Sequence, residues 1–257
     1  MLRMLASVVG EEVFLKGVSV YLKKRLFGNA TTRDLWDGVS EASSMDVAEL
    51  MQEWILKVGF AVITVEEIDN GRKLKFRQNR FLITGDVKPE EDETLWYVPL
   101  EVKTVGPDGK VGINHKAVLH ERESTFDIEP SRAFKLNADT VGVYRVAYTP
   151  ERLAALGEEA ARTVTGLTVE DRIGLVSDTM TLAAAGHGRT SGALSLIFKL
   201  SDEPEFRVWE SVATGLASLC SVWWGQPDNV RNALDKFRIQ LFRPLAERLG
   251  WRRHDHS

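Results

Sequence analysis

The spacing of apolar residues changes twice along the chain, and this change constrains the fold more than any single motif. From residue 1 to about residue 59, apolar residues recur every three or four positions, the period of an amphipathic helix. Residues 60–148 carry short β-rich runs separated by turn residues, and the helical period returns over residues 149–257. This order predicts an α+β chain with several domains: a short helical segment, a small β-sandwich, and an array of α-helical hairpins.

The first zone is predicted to hold three helices. The first has one apolar stripe at positions i, i+4, i+7 and i+8, formed by Phe14, Val18, Tyr21 and Leu22. We expect it to end at Phe27-Gly28-Asn29, since Gly and Asn favour a left-handed C-cap. Thr31 with Asp34 has capping-box spacing and predicts the start of the second helix. Asp46 with Glu49 does the same for the third.

Five β-rich runs in the second zone are predicted strands. They are Ala61–Val65, Lys73–Gln78, Thr94–Val102, Ser124–Ile128 and Val141–Tyr148. Turn residues separate them, and within the second run apolar and charged residues alternate, as in a strand with one wet face. Short strands at this spacing predict a small β-sandwich of roughly 85 residues.

Helical signals resume at Thr149, with Pro150 at a first-turn position. Thr168 and Asp171 have capping-box spacing and predict a helix that ends at Gly186–Gly188. Further helical patterns cover about 190–200, 206–222 and 227–249. Consecutive helices with short loops predict antiparallel hairpins, either a bundle or the beginning of a helical solenoid.

Composition excludes several classes of function. The net charge is −4, with no basic stripe, so we predict no nucleic-acid partner. The single cysteine, Cys220, rules out an internal disulfide or a thiolate zinc cluster and lies in an apolar run, where we expect it to be buried. No apolar segment approaches the ~20 residues that cross a bilayer, so we predict no membrane segment in this chain.

An ordered series of short motifs runs through all three zones. It includes Gly10-Glu11-Glu12-x-Phe14, Asp34-Leu35-Trp36, Gln78-Asn79-Arg80-Phe81, Trp96-x-Val98-Pro99-Leu100, Gly142-Val143-Tyr144-Arg145-Val146, Asp171-Arg172-x-Gly174-Leu175 and Arg248-Leu249-Gly250-Trp251. This series resembles zinc aminopeptidases of the gluzincin, puromycin-sensitive type. The resemblance implies that residues 1–59 are the last helices of the thermolysin-like catalytic domain. Residues 60–148 would be the β-sandwich domain, and residues 149–257 the first part of a C-terminal α-helical superhelix.

The catalytic motifs of that family do not occur in this sequence. In the family, a zinc-binding H-E-x-x-H helix, a distal glutamate ligand and a G-x-M-E-N loop lie upstream of the part that residues 10–67 resemble. The five histidines are His115, His120, His187, His254 and His256. None forms H-E-x-x-H or a helical pair at i, i+4. We therefore predict no catalytic, cofactor-binding or metal-binding residue in this chain, although zinc is the cofactor of complete family members.

Other residues that could carry chemistry are predicted to be structural. They are His115 and His120 in the β region, His187 in a C-terminal helix turn, Tyr21 in the first stripe, the solvated acidic turn Glu90–Glu93, the helix end Lys23–Arg25, Cys220, and the helix-packing Trp209, Trp223 and Trp224. His254-x-His256 could chelate a divalent ion weakly, since a frayed terminus preorganises nothing.

Two functions follow from this sequence. The first is a fragment of a zinc-dependent aminopeptidase, cut at both ends, that supplies the sandwich and the first lid helices. Its parent would remove N-terminal residues from peptides and would be cytoplasmic by resemblance, and the missing catalytic part is a candidate partner. The alternative is a stand-alone, non-catalytic peptide- or protein-interaction module, so the sequence leaves open whether the chain is an enzyme. The two hypotheses differ in the expected exposure of five apolar residues. In a severed fragment these side chains should be exposed, and in a module they should be covered. The residues are Phe14, Val18, Tyr21, Leu241 and Leu245.

Overall fold

The computed structural model describes residues 1–85 and 87–250. It divides into two compact units, Met1–Tyr148 and Thr149–Ser257. The helices are α1 Leu2–Val9, α2 Glu11–Lys24, α3 Thr32–Ser43, α4 Val47–Leu56, α5 Pro150–Ala160, α6 Val169–Ala184, α7 Thr190–Lys199, α8 Phe206–Val222 and α9 Asp228–Leu249. The predicted α+β class, with N-terminal helices, a small β region and a helical array, is confirmed. None of the helices described is long and apolar enough to span a membrane.

Two of the predicted helix starts in the first unit are confirmed by their caps. Asp34 Oδ2 accepts the Thr31 backbone N–H at 2.7 Å, completing the capping box of α3. Asp46 Oδ1 accepts the Glu49 N–H at 2.9 Å at the start of α4.

The predicted left-handed cap at the end of α2 is misplaced. The helix ends at Lys24, and the residue with positive φ is Phe27, at 60°, rather than Gly28 or Asn29. The chain turns earlier because the Arg25 N–H still bonds to the Tyr21 carbonyl and the Gly28 N–H then closes a turn on the Arg25 carbonyl at 3.0 Å. This turn leaves the Phe27 side chain in solvent.

Helices α2 and α3 cross at two glycines. A Cβ on Gly17 would lie 2.5 Å from Val39 Cα, and one on Gly38 would lie 2.7 Å from the Gly17 carbonyl oxygen. Both distances are far inside van der Waals contact, so the two backbones approach this closely only because neither position has a side chain.

The β region consists of three small sheets. The strands are β1 Ala61–Ile68, β2 Lys73–Arg80, β3 Val98–Pro99, β4 Val102–Val105, β5 Val111–Asn114, β6 Val118–Leu119, β7 Glu123–Asp127, β8 Ala133–Lys135 and β9 Arg145–Ala147. Their orders are β7-β2-β1-β9, β3-β6 and β5-β4-β8, and β1 runs antiparallel to β2 and parallel to β9.

The strand predicted at Thr94–Val102 is interrupted. Strand β3 covers only Val98–Pro99 and β4 begins at Val102, because Glu101 has a φ of 45° that breaks the extended backbone between them. The run Val141–Tyr148 likewise forms a strand only at Arg145–Ala147. Sequence reasoning missed the short strands β5, β6 and β8, which have no long apolar run.

The helices and sheets of the first unit share one hydrophobic core. Met4 and Leu5 of α1 and Met51 of α4 are fully buried, as are Ile63 of β1 and Phe76 of β2. The predicted boundary near residue 59 thus lies between elements that pack on the same core. The assignment of residues 1–59 and 60–148 to separate domains stays a prediction.

The second unit is a helical array that begins as predicted. Thr149 Oγ1 accepts the Arg152 N–H at 3.2 Å, with Pro150 in the first turn of α5. Thr168 and Asp171 form the capping box of α6. Helix α6 packs on α7 and α8, and α5 packs on α7. The array therefore buries its apolar faces between helices close in sequence.

Candidate functional site

The histidines occupy unrelated places in the structure. His115 Nδ1 lies 2.5 Å from Glu101 Oε2, whereas His120 is exposed on the surface. The His187 N–H donates to the Leu182 carbonyl at 2.8 Å, the long-range bond of a Schellman turn in which Gly186 has a φ of 78°. This confirms the predicted turn role of His187. The His254 and His256 prediction lies outside the described residues.

The most concentrated polar chemistry surrounds a buried carboxylate, Glu101, which is 1% exposed. Ser7 Oγ of α1 donates to Glu101 Oε1 at 2.8 Å, and the ring of His115 faces the other oxygen. Buried Lys103, on β4, donates to Asp139 Oδ1 at 2.8 Å. We call Ser7, Glu101, Lys103, His115 and Asp139 the Glu101 cluster. It ties α1 to the β region, because the carboxylate would be costly to bury without these donors.

Backbone strain is concentrated at this cluster. Glu101, Asn137, Asp139 and Thr140 all have positive φ, between 45° and 57°. The Asn137 side chain holds the turn together, since its Oδ1 accepts the Gly142 N–H at 2.7 Å. Strained backbone can mark a functional site, but only together with a group that could react.

The contacts of the Glu101 cluster suit a structural tie. Ser7 Oγ donates to Glu101 Oε1 and thereby satisfies part of the buried carboxylate. Ser7 lies on α1 and Lys103 on β4, and both of these helix and strand elements contribute to the shared core. Sequence reasoning did not single out Glu101, because nothing in its neighbourhood signals a buried carboxylate.

The described residues offer no ligand set for the zinc that the family resemblance implies. A catalytic zinc needs three protein ligands and an open position for water. Over residues 1–85 and 87–250, no three His, Cys, Asp or Glu side chains lie together as a metal site would require. Glu101 and His115 lie together without a third such side chain, and the Glu101 carboxylate also accepts a hydrogen bond from Ser7.

A second buried ion pair organises the helical unit. Arg172 of α6 makes two bonds to Glu203, at 2.7 and 3.0 Å, and donates to the Leu167 carbonyl at 2.7 Å. Trp209 Nε1 and Arg248 both donate to the Glu203 carbonyl, at 2.8 and 2.9 Å. This network joins α6, α8 and α9 around the buried Arg172–Glu203 pair, which suits a structural role.

Three surface carboxyl and phenol groups have shifted pKa values. A hydrogen bond from the Thr31 N–H, reinforced by Arg25, lowers the pKa of Asp34. Hydrogen bonds from Lys75 and Arg77 lower the pKa of Glu123, and burial raises the pKa of Tyr97. All three shifts follow from local hydrogen bonds or burial.

Glu90, Glu91 and Glu93 are exposed as predicted for a solvated turn, whereas Asp92 departs from that prediction. Its carboxylate accepts the Asn79 amide and the Arg80 N–H, both at 2.6 Å, and pairs with Arg122 at 3.1 Å. It thereby ties the end of β2 to the following loop, a role that needs tertiary contacts invisible in the sequence.

The basic helix end and the cysteine were also predicted to be structural. Lys23 and Lys24 lie in the last turn of α2 and are exposed with Arg25, so the predicted solvated helix end is confirmed. In addition, Lys24 and Arg25 form ion pairs with Glu41 and Asp34 of α3. Cys220 is half-buried rather than buried, since it lies in the last turn of α8.

The prediction that the tryptophans pack between helices holds for Trp209 but not for Trp224. Trp209 packs between helices as predicted, 5.5 Å from the ring of Phe242. Trp224 does not, since it is 77% exposed in a 3-10 turn after α8.

The residues that separate the fragment from the module hypothesis are mostly covered. Leu241 is fully buried, and Phe14, Val18, Tyr21 and Leu245 are half-buried. Leu22, predicted to share their stripe, is instead 55% exposed. The helix buries the side that carries Gly17, and Leu22 lies on the other side.

Two family domains match the chain in sequence order. The Peptidase family M1 domain matches residues 1–54, which include α1 to α3. The ERAP1-like C-terminal domain matches residues 133–257, which include the helical unit. The β region lies largely between the two matches.

Full aminopeptidases match nearly the whole chain. It is 45% identical over 251 residues to Aminopeptidase 2, mitochondrial, of Saccharomyces cerevisiae, covering 98% of this chain and 25% of that protein. It is 41% identical over 251 residues to Alanine/arginine aminopeptidase of the same yeast, covering 98% of this chain and 28% of that protein. It is 32% identical over 254 residues to Puromycin-sensitive aminopeptidase of Caenorhabditis elegans, covering 97% of this chain and 26% of that protein.

The chain thus spans about a quarter of the length of the curated relatives it matches. The matched domains and the matched relatives agree with each other and with the motif series in the sequence. The chain therefore belongs to the M1 family of aminopeptidases.

Proposed function

We propose that this chain is a non-catalytic part of a zinc-dependent aminopeptidase, which links the catalytic domain to the C-terminal helices. The parent reaction is the hydrolysis of N-terminal residues from peptides. The observation that carries the proposal is the order of the two family matches, an M1 domain over residues 1–54 and an ERAP1-like C-terminal domain over residues 133–257. The chain's own contribution is the shared core that holds helices α1 to α4 on the β region.

The chemistry of the family supports a structural role for this segment. Peptide hydrolysis by a zinc enzyme needs a metal that polarises the scissile carbonyl and activates water, plus a carboxylate base. A helix supplies two of the ligands as histidines four residues apart, and the sequence holds no such pair. Two of the polar groups buried in the described part of the chain, Glu101 and Arg172, make internal hydrogen bonds that tie elements together.

An activity assay tests this proposal directly. The purified chain is incubated with aminoacyl-arylamide substrates and added zinc, with Aminopeptidase 2 of S. cerevisiae as a positive control in the same buffer. We expect the yeast enzyme to release arylamine and the chain to show only background. Chelator-sensitive turnover by the chain, at a rate proportional to its concentration, would refute the proposal.

A stand-alone interaction module is a second candidate. It is favoured by the burial of Leu241 and the partial burial of Phe14 and Leu245, which a severed fragment was expected to expose. Such a module should bind peptides by itself. Titration of the chain with a library of fluorescent peptides distinguishes the two, because the aminopeptidase-part proposal expects no saturable binding.

The proposed location is the cytoplasm. It is supported by resemblance to puromycin-sensitive aminopeptidases and by the single cysteine, which suits a reducing compartment. One relative bears the name Aminopeptidase 2, mitochondrial. Fluorescence imaging of the tagged protein in its own cells distinguishes the two compartments.

A further inference from the structure

Helix α2 carries an exposed apolar ridge. The ridge consists of Leu15, Leu22, Leu26 and Phe27, which are 59%, 55%, 67% and 102% exposed. We call it the α2 ridge. Leu15 and Leu22 are seven residues apart, so they lie on one face two turns from each other. Leu26 and Phe27 continue the ridge past the helix end at Lys24. Scattered apolar residues on a surface are ordinary, but a row of large ones marks an interaction site.

The helix cannot rotate to bury this ridge. Its other side is fixed against α3 by Gly17 and Gly38, where the two backbones meet without a side chain between them. Tyr21 belongs to the same contact, since its Cβ lies 2.9 Å from a Cβ built on Gly38. Turning Leu22 towards α3 would force a leucine side chain into that crossing. The ridge is therefore a fixed feature of the folded unit.

Phe27 adds a second, independent observation. Its φ is 60°, a left-handed conformation that bulky residues rarely adopt. Its side chain is fully exposed, so the ring is not packed inside the unit. An exposed aromatic side chain on strained backbone adds no packing energy to the folded unit by itself. Aromatic side chains are typical anchors of protein interfaces, where they fill a pocket on the partner.

Charges beside the ridge define the chemistry of its partner. Lys16 and Lys23, each next to a ridge leucine, are exposed along one flank of α2. Lys24 and Arg25, in contrast, are paired with acidic residues of α3. The ridge thus fits an apolar groove that has acidic residues on one rim.

The family matches identify the occupant. The ridge lies inside the segment that matches the Peptidase family M1 domain, residues 1–54. The chain covers 25% of Aminopeptidase 2, so most of that relative's polypeptide lies outside the shared segment. We propose that the α2 ridge is the docking surface for the remaining part of a Peptidase family M1 domain, seated with Phe27 in a pocket. This inference rests on the proposed function and names the surface through which the chain would contact the rest of the catalytic domain.

Co-expression tests the docking surface. The tagged 257-residue chain is produced with the segment of S. cerevisiae Aminopeptidase 2 that precedes its aligned region, and the complex is measured by co-purification and sedimentation velocity. Leu22→Glu places a charge in the middle of the ridge, and Phe27→Ala removes the anchor without touching any internal contact. Phe206→Glu is the matched control, because Phe206 is 75% exposed in the second unit.

We expect the wild-type chain and the Phe206→Glu control to bind the segment equally. Leu22→Glu and Phe27→Ala should each weaken binding at least about tenfold, the loss typical of an interface anchor. Circular dichroism checks the fold of each variant, and if Leu22→Glu is unfolded, Phe27→Ala decides the result.

Three results would overturn the inference. They are equal binding by both ridge variants, no binding by the wild-type chain, and self-association of the chain alone that Leu22→Glu abolishes, which would make a second copy the occupant. None of them changes the arylamide result, so a failed docking surface and a failed proposed function are distinguishable.

Discussion

Replacing Gly38 by alanine should separate α2 from α3. The new Cβ would lie 2.7 Å from the Gly17 carbonyl oxygen and 3.0 Å from the Tyr21 nitrogen, and both are backbone atoms that no rotamer change can move. To restore ordinary contact at 3.4 Å, the helices must part by about 0.7 Å at this point. A gap of this size forfeits a quarter to a half of the dispersion energy of each atom pair along the crossing.

The expected cost is a balance of two effects. Overpacking a close contact typically costs about 1–3 kcal/mol. Alanine is about 1 kcal/mol more favourable than glycine inside a helix and offsets part of this loss. We therefore expect the Gly38→Ala variant to lose about 1–2 kcal/mol of unfolding free energy in the first unit.

The matched control is Gly192→Ala in α7. A Cβ at Gly192 meets only Leu153 Cδ2 at 3.6 Å, an ordinary contact, so this variant should gain stability from helix propensity. Hydrogen exchange in urea reads the two units separately, which a single melting curve would not. If Gly38→Ala stabilises its unit as much as Gly192→Ala does, the close crossing of α2 and α3 is not as described.

Three further predictions concern charged groups. Glu203→Gln should destabilise the helical unit by about 3–5 kcal/mol in urea titrations, because it leaves a buried guanidinium without its carboxylate. His115→Ala should cost about 1–3 kcal/mol, since it removes a partner of buried Glu101, whereas the exposed His120→Ala should be neutral by the same titration. The lowered pKa of Asp34 means that its carboxylate stabilises the start of α3 above the ordinary pKa of 3.8, and this contribution is lost as the pH falls through the lowered value. In the wild type, the rate of amide hydrogen exchange at the start of α3 should rise in that acid range. In the Asp34→Asn variant, the exchange rate should show no such rise.

Local signals in the sequence predicted the elements that depend on local physics. Thr168 with Asp171 and Thr31 with Asp34 form their caps because a capping box needs only residues three apart. Gly186 ends α6 because only a residue without Cβ adopts its φ of 78° without strain.

Features that depend on distant neighbours escaped prediction. Ser7, which is 94 residues away, and His115 both contact the buried Glu101 carboxylate, and the backbone of Glu101 has a positive φ of 45°. The exposure of Leu22 follows from which side of α2 meets Gly38, a choice that the apolar pattern alone leaves open. Helical periodicity therefore places a stripe on a helix but does not say which neighbour covers it.

Zinc content tests the central claim most directly. The purified chain is dialysed against metal-free buffer, reloaded with zinc, dialysed again and analysed by atomic absorption, with Aminopeptidase 2 of S. cerevisiae treated in parallel. We expect the yeast enzyme to retain zinc and this chain to retain none in stoichiometric amount, because its sequence contains no pair of histidines four residues apart on a helix. One zinc ion per chain, held through the second dialysis, would contradict it.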